Sequence, residues 1–152
     1  MRKIEQIAKN ENFTAVNLGK LDEIREYSMI HPVNKKNIEG KVFLKDATHS
    51  SGTEISFNSL APHSEQPYFH IHRKNEETYM IIKGFGYFQV DDNCFEITEG
   101  SMIRVAPKGI RGIRNESDEE MIYVVVQAKV NSLEEYTTDD GERIPYEPKW
   151  RK

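Results

Sequence analysis

Two histidines one residue apart, His70 and His72, stand in the stretch PYFHIHRKNEETYMIIKGFG together with Glu77. On a β-strand, residues i and i+2 point to the same face, so both imidazoles are predicted to enter one space. Glu77 is predicted to join them from the start of the next strand, across a short turn at RKNE. Imidazole suits zinc, copper, iron and nickel, and carboxylate suits harder ions such as manganese. The three residues therefore predict a divalent-metal site with positions left open for water or a small molecule.

The alternative interpretation is that the histidine pair occurs by coincidence on a solvent-exposed face of a strand. The chain has five histidines among 152 residues, so one such pair is not rare. Requiring Glu77 and Gly84 at fixed offsets lowers that chance to the order of one in a thousand, which favours a site.

The stretch HIHRKNEETYMIIKG resembles the first motif of the cupin superfamily, which has His-x-His, four residues, a glutamate, six residues and a glycine. The matching positions in this chain are His70, His72, Glu77 and Gly84. Residues 100–115, GSMIRVAPKGIRGIRN, are similar to the second cupin motif. The resemblance covers about residues 50 to 130. It implies a small β-barrel with a metal or ligand pocket inside, three of the usual metal ligands, and a homodimer formed through N-terminal strands.

The second motif departs from the family's pattern at its histidine, the usual fourth ligand. Counting forward from Gly100 or back from Asn115 places that histidine at position 111, where this chain has Arg111. A guanidinium stays protonated and has no free lone pair, so it cannot ligate a cation. Three roles follow for Arg111. It grips an anionic substrate beside a metal held by three ligands, or it recognises an organic ligand in a pocket that has lost its metal, or it points to solvent or pairs with a surface acid.

Two further residues are predicted to bind a substrate in the pocket, Tyr79 and Gln127. Tyr79 would supply a hydroxyl, with core packing as its alternative role. Gln127 shares a face of the last strand with Tyr123. The other face of that strand is apolar and is expected to meet either the barrel interior or a dimer partner; its residues are Ile122, Val124 and Val126.

The remaining histidines and the cysteine are expected to lie outside the site. His63 is a possible replacement for the missing ligand, but it stands before a long turn. His31 and His49 are expected to be ordinary exposed histidines. Cys94 is expected to be a packed strand residue, since no histidine lies near it in the sequence to activate it.

The elements that must position these side chains predict an all-β fold. Short runs rich in β-branched and aromatic residues alternate with turn sequences. These runs are residues 41–46, 53–60, 77–83, 86–90, 94–97, 101–106 and 121–128. No helical segment lies between them, which disfavours a parallel α/β sheet. We expect a single antiparallel β-barrel or jelly roll.

The whole chain, residues 1–152, is expected to be one cupin-like domain, because this length suits a single domain. Residues 1–40 form an N-terminal arm, 41–130 the β-barrel and 131–152 a C-terminal tail. In the arm, an apolar spacing that Pro32 ends is typical of a helix; its residues are Leu18, Leu21, Ile24 and Met29.

The tail is polar and rich in turn residues. NSLEEYT predicts the start of a short helix, with Asn131 or Ser132 as its cap. The segment that follows reads as extended or irregular, and Trp150 is expected to anchor it.

Charge and composition exclude several classes of protein. The formal net charge is −4, and no basic stripe with interleaved aromatics is present, so no nucleic-acid partner is expected. Cys94 is the single cysteine, so no internal disulfide forms and a reducing compartment is the simplest setting. No signal peptide or membrane-length apolar run is present. We therefore expect a cytoplasmic protein with no membrane partner.

Three functional hypotheses remain open at this point. The first is a metal-dependent enzyme acting on a small polar or anionic molecule by oxygenation, isomerisation or epimerisation, or decarboxylation. Iron, manganese, zinc and nickel are not distinguished by the residues. The second is a non-enzymatic barrel that binds or senses a small anionic ligand without metal. The third is a mainly structural dimer whose pocket has no remaining function.

Overall fold

The computed structural model describes residues 2–150, and these residues fold almost entirely as β-strands. The strands are β1 (Glu5–Lys9), β2 (Thr14–Asn17), β3 (Ser28–Ile30), β4 (Asn37–Glu39), β5 (Lys41–Phe43), β6 (Glu54–Leu60), β7 (Asn75–Lys83), β8 (Phe85–Val90), β9 (Asn93–Thr98), β10 (Met102–Val105), β11 (Arg111–Asn115) and β12 (Met121–Lys129). Two short helices accompany them, a 3₁₀ helix at Leu21–Glu26 and α1 at Lys45–Thr48.

The strand pairs are antiparallel and form two main sheets. One sheet has five strands in the order β10-β7-β12-β6-β5, and the other has three in the order β11-β8-β9. In the arm, β1 pairs with β2 and β3 pairs with β4 as two small ribbons. The expected all-β antiparallel barrel is confirmed.

The core lies between the two main sheets, because both turn alternate side chains toward it. On β7 the alternate residues Glu77, Tyr79 and Ile81 are buried. The buried apolar residues that meet in this core are Tyr79, Ile81, Phe88, Ile97, Val105, Ile113, Met121, Tyr123 and Val125. The same alternation that predicted the strands therefore fills the barrel.

The outer face of the five-stranded sheet is covered by the arm. Ile24 of the 3₁₀ helix and Tyr27 just after it are buried against Val42, Leu44 and Ile122. Ile122 faces this cluster because it alternates with Tyr123, which points into the barrel. Ile122 therefore lies against the arm of its own chain, outside the barrel interior that was one of its two expected surroundings.

The arm differs from the helix that its apolar spacing predicted. The helix is a single 3₁₀ segment, and the chain after it forms β3, in which Met29 pairs with Ile38 of β4. Strand pairing thus decides the structure of the arm where the spacing of apolar residues suggested a continuous helix. The predicted run 41–46 also divides, because β5 ends at Phe43 and α1 begins at Lys45.

The short helix and the anchoring by Trp150 predicted for the tail are wrong within the described residues, whereas the irregular segment predicted after NSLEEYT is confirmed. No helix forms at NSLEEYT, and Leu133 is 74% exposed. A segment this short cannot hold a helix without packing an apolar face, and none is packed here. Trp150 is 86% exposed and anchors nothing that the structure describes.

Two local features connect the predicted motifs to the fold. Gly84 joins β7 to β8 with φ +96°, and a Cβ there would lie 3.1 Å from the Cα of Met121, which explains a glycine at this motif position. The strand β11 was not among the predicted runs. Its sequence, RGIRN, has weak intrinsic strand propensity, but it pairs with β8 along its whole length.

Among the helices of residues 2–150, none combines the length and the apolar character needed to cross a bilayer. The cytoplasmic location stays a prediction.

Candidate metal centre and cavity

The two histidines reach the site from an extended segment, and the expected regular strand is absent there. His70 makes a single β-bridge with Arg111, through its N–H to the Arg111 carbonyl at 3.3 Å and the reverse bond at 3.1 Å. The His72 N–H donates to the Pro107 carbonyl at 2.9 Å. The predicted convergence still holds, because the two ring centroids lie 5.3 Å apart.

Glu77 meets both histidines from β7, as predicted. Its Oε1 lies 3.0 Å from His72 Nε2, and its Oε2 lies 3.6 Å from His70 Nε2. The ligand atoms of the three residues all fall within 4.8 Å of one another. Glu76 points away, as its phase on the strand predicts, and pairs with Arg104.

A hydrogen-bond network holds the Glu77 carboxylate in place. The Tyr79 hydroxyl donates to Oε2 at 2.8 Å, and the Gln127 amide donates to Oε1 at 3.4 Å. The Asn75 side-chain amide donates in turn to the side-chain oxygen of Gln127, Oε1, at 2.7 Å. The two predicted substrate-binding residues Tyr79 and Gln127 therefore both contact the central carboxylate, and both also line the cavity.

The charges around Glu77 favour the protonation states that metal ligands need, an ionised carboxylate and a neutral imidazole. Burial opposes ionisation of Glu77, but the contacts from His70 and Tyr79 and the positive charge of Arg111 lower its pKa to about 2. Burial lowers the pKa of His72, and Arg111 adds to that effect. At neutral pH Glu77 is an anion and His72 keeps a neutral imidazole with a lone pair.

Arg111 is 0% exposed, so the predicted solvent-facing role is wrong. Its Nε lies 3.4 Å from Glu77 Oε2. Its two terminal nitrogens donate to the carbonyls of His70 at 3.4 Å and Ala106 at 3.3 Å. Its charge is thus directed at Glu77 from behind, and Arg111 is not among the residues that line the cavity. Its contact with a ligand stays a prediction.

The three ligands open onto a cavity of about 270 Å³. Sequence reasoning had identified five of its lining residues as site residues, namely His70, His72, Glu77, Tyr79 and Gln127. It had not identified as site residues His31, Lys41, Phe43, Glu54, Ser56, Gln66, Tyr68, Tyr123 and Val125. Part of this set could have been predicted from the sequence. Lys41 and Phe43 are two residues apart on a predicted strand and therefore share one face of it, and the same holds for Glu54 and Ser56.

The other histidines divide between the site and the surface. His31 lines the cavity, so its expected place as an ordinary surface histidine is wrong. His49 is exposed beside Lys9. His63 pairs with Asp118 at the surface and is not part of the ligand cluster. Cys94 is exposed, so its expected packing in a strand interior is wrong as well.

The donor set fits a divalent metal ion. Two atoms that each lie about 2.1 Å from one ion are about 3.0–3.4 Å apart. The separation of His72 from Glu77, 3.0 Å, falls in this range, and that of His70 from Glu77, 3.6 Å, lies slightly above it. His72 Nε2 is buried and has no aligned hydrogen-bond partner among the described residues. A cation bound by this nitrogen and the carboxylate would supply the missing partner.

Comparison with known proteins places this fold and site in a family. The cupin domain family matches residues 57–127. A cupin protein from Bacteroides fragilis is 33% identical, with 78% of this chain and 98% of that chain covered and a TM-score of 0.67. The chain therefore belongs to the cupin superfamily. A comparison with curated protein sequences gave no match.

More distant structures share the fold. One is a conserved protein with a double-stranded β-helix domain from Klebsiella pneumoniae, at 19% identity and TM-score 0.54, covering 76% of this chain and 91% of that one. Another is described as a predicted oxalate decarboxylase from Thermotoga maritima, at 20% identity and TM-score 0.56, covering 68% and 91%. At these identities the likeness is one of fold, and it assigns no reaction.

Proposed function

We propose that this cupin binds a divalent transition-metal ion through His70, His72 and Glu77 and acts with it on a small polar or anionic molecule. One observation carries the proposal. The ligand atoms of the three residues lie within 4.8 Å of one another on the wall of the cavity. Three protein ligands leave positions on the ion open to the cavity, as catalytic sites require.

The chain's own residues supply the charge and the geometry of this site. Glu77 stays ionised between Tyr79 and Arg111, so it serves as a fixed anion and is unsuited to exchanging protons near neutral pH. Tyr79 and Gln127 restrain the carboxylate and present polar groups to a bound molecule. A bound ion would supply Lewis-acid chemistry by polarising an oxygen of that molecule.

Oxygenation, isomerisation or epimerisation, and decarboxylation are all compatible with such a site. The fold does not choose among them.

A second candidate function is a non-enzymatic cupin that binds a small anion without metal. The favouring observation is the position of Arg111, whose Nε lies 3.4 Å from Glu77 Oε2. This guanidinium already offsets the carboxylate's charge, and a metal ion beside it would meet repulsion. The two candidates differ in whether metal occupies the site.

Elemental analysis of tag-free protein, purified without chelator or added metal, tests the first candidate. We expect about one transition-metal ion per chain in the wild type, because three ligands converge there. His72→Ala should lose the metal, and His63→Ala, a change at an exposed histidine, should keep it. Metal-free wild type that also shows no rise in melting temperature with iron, manganese, zinc or nickel would leave the second candidate.

The homodimer and the cytoplasmic location expected from the sequence belong to this proposal as well. Light scattering of the purified protein would count the chains, and one chain per particle would contradict the dimer.

A further inference from the structure

Lys41 places a positive charge in the lining of the cavity. It lies on β5 beside β6, where it pairs with Asn58, and its side chain lines the cavity that holds the metal ligands. Its Nζ lies 4.9 Å from the centroid of the Phe43 ring. Within residues 2–150 its ammonium makes no hydrogen bond or ion pair.

An ammonium in this position is incompletely compensated. Burial lowers the pKa of Lys41, and the charges of Glu77 and Glu54 oppose that effect. The Glu77 carboxylate makes its close contacts with Arg111, Tyr79 and the two histidines, and none of its close contacts is with Lys41. The ammonium is therefore free to donate to an anion that enters the cavity.

His31 adds a second donor to the same cavity. Its Nδ1 accepts hydrogen bonds from the N–H groups of Val33 at 3.2 Å and Asn34 at 3.3 Å. An imidazole whose Nδ1 accepts must carry its proton on Nε2. His31 therefore offers an N–H donor, and it comes from the arm, whereas the metal ligands come from the barrel.

We propose that Lys41 and His31 form an anion-binding subsite of this cavity that takes a carboxylate of a small organic molecule. The proposal rests on the proposed function in that it names the charged group of the molecule held beside the metal ligands. It also assigns recognition of that group to Lys41, where the sequence had suggested Arg111. Arg111 is buried behind Glu77 and cannot reach a ligand without leaving its partners.

A carboxylate fits the surrounding charges better than a phosphate does. Glu77 and Glu54 also line the cavity, and a dianion would meet stronger repulsion from them than a monoanion. The aromatic rings of Phe43, Tyr68 and Tyr123 supply apolar surface for the organic part of the molecule. The cavity of about 270 Å³ suits a molecule of this small size.

Benzoate and benzamide are the probes for the test, because they share size and ring and differ in charge. Calorimetric titration of the wild type should show benzoate binding more tightly than benzamide. In Lys41→Met, which keeps the contact with Phe43, benzoate affinity should fall by about tenfold or more, the usual effect of losing a charge-assisted hydrogen bond. Lys108→Met, a matched change at an exposed lysine in the neighbouring loop, should leave it within about twofold.

A bromide soak gives an independent reading that does not depend on the organic probe. An anomalous peak should lie beside Lys41 Nζ in wild-type crystals and be absent in Lys41→Met. Equal benzoate affinity in wild type and Lys41→Met, or no bromide at Lys41 in the wild type, would overturn the subsite. Metal content is measured separately on the same proteins, so a wild type that binds benzoate through Lys41 but holds no metal refutes the proposed metal site alone.

Discussion

At the scale of single residues, Arg111 is the position that most limits the capacity of the candidate site to bind a metal ion. Its guanidinium is fully buried, with Nε 3.4 Å from the Glu77 carboxylate in an ion pair and the two terminal nitrogens donating to backbone carbonyls. A buried charge persists only with such partners, because its desolvation costs several kcal/mol. The arrangement keeps Glu77 ionised but places a cation where a fourth metal ligand would otherwise stand.

Replacing Arg111 with histidine should restore that ligand. We expect Arg111→His to raise the affinity for manganese or zinc by about tenfold or more, roughly 1.4 kcal/mol, because an imidazole supplies a lone pair and the repelling charge is removed. Calorimetric metal titration measures the change, after circular dichroism has shown that the variant folds.

Two control variants separate the possible causes. Arg111→Met removes the charge without adding a ligand and should give a smaller gain. Arg104→His alters an exposed arginine that pairs with Glu76 on the outside and should have no effect. Metal affinity in Arg111→His equal to that of the wild type would show that position 111 does not control the metal site.

The sequence predicted the three candidate metal ligands but only part of the cavity. His70, His72 and Glu77 lie within eight positions of one another, so their spacing alone brings them together. Lys41 reaches the cavity through the pairing of β5 with β6, and His31 follows β3, which forms a local hairpin with β4. The position of that hairpin against the barrel depends on tertiary packing, and the direction of Arg111 depends on the buried partners that the fold supplies.

At the scale of elements, the arm is part of the fold and not an appendage. Ile24 is 0% exposed, and it packs with Tyr27 onto the outer face of the five-stranded sheet. The Tyr27 hydroxyl donates to the Leu18 carbonyl at 3.1 Å and so ties the strand ribbon of the arm to the helix. The sheet that carries Glu77 and Gln127 is therefore backed on its other side by residues 18–27.

Truncating the central side chain of this outer cluster should destabilise the protein. Ile24→Ala is expected to lower the free energy of unfolding by about 2–5 kcal/mol, the usual cost of deleting a fully buried isoleucine side chain. Leu21→Ala, in the same 3₁₀ helix but at a residue 38% exposed, should cost less than about 1 kcal/mol. Urea unfolding measures both, and equal costs at the two positions would show that the arm is not packed as described.

The strands were predictable where their side chains alternate, and less so where pairing decides. The runs at β6, β7, β8, β9, β10 and β12 were found from β-branched and aromatic residues between turn sequences. The strand β11 has two arginines, a glycine and an asparagine, so its propensity is weak, and β8 holds it in place. The prediction of a continuous helix in the arm is also wrong because of strand pairing, since the residues after the 3₁₀ helix form β3, which pairs with β4.

At the scale of the whole molecule, the five-stranded sheet carries different chemistry on its two faces. Its inner face supplies the polar wall of the cavity, and its outer face is apolar and covered by the arm. The histidine segment connects this sheet to the smaller one, because His70 bridges to β11 and its side chain faces Glu77 on β7. The site thus depends on the relative position of both sheets, whereas residues 131–150 of the tail are exposed throughout.

Deleting the two ends of the chain should therefore destabilise the protein to very different degrees. A chain that stops after Ser132 removes tail residues that are exposed throughout the described part, so its melting temperature should fall by less than about 2 °C. Removing the first 27 residues takes away Ile24 and Tyr27 and uncovers Val42, Leu44 and Ile122. That loss should lower the melting temperature by more than about 10 °C or make the protein aggregate. Differential scanning calorimetry compares the two deletions. A tail deletion that lowers the melting temperature as much as the arm deletion would show that residues 133–150 pack against the rest of the protein, contrary to this structure.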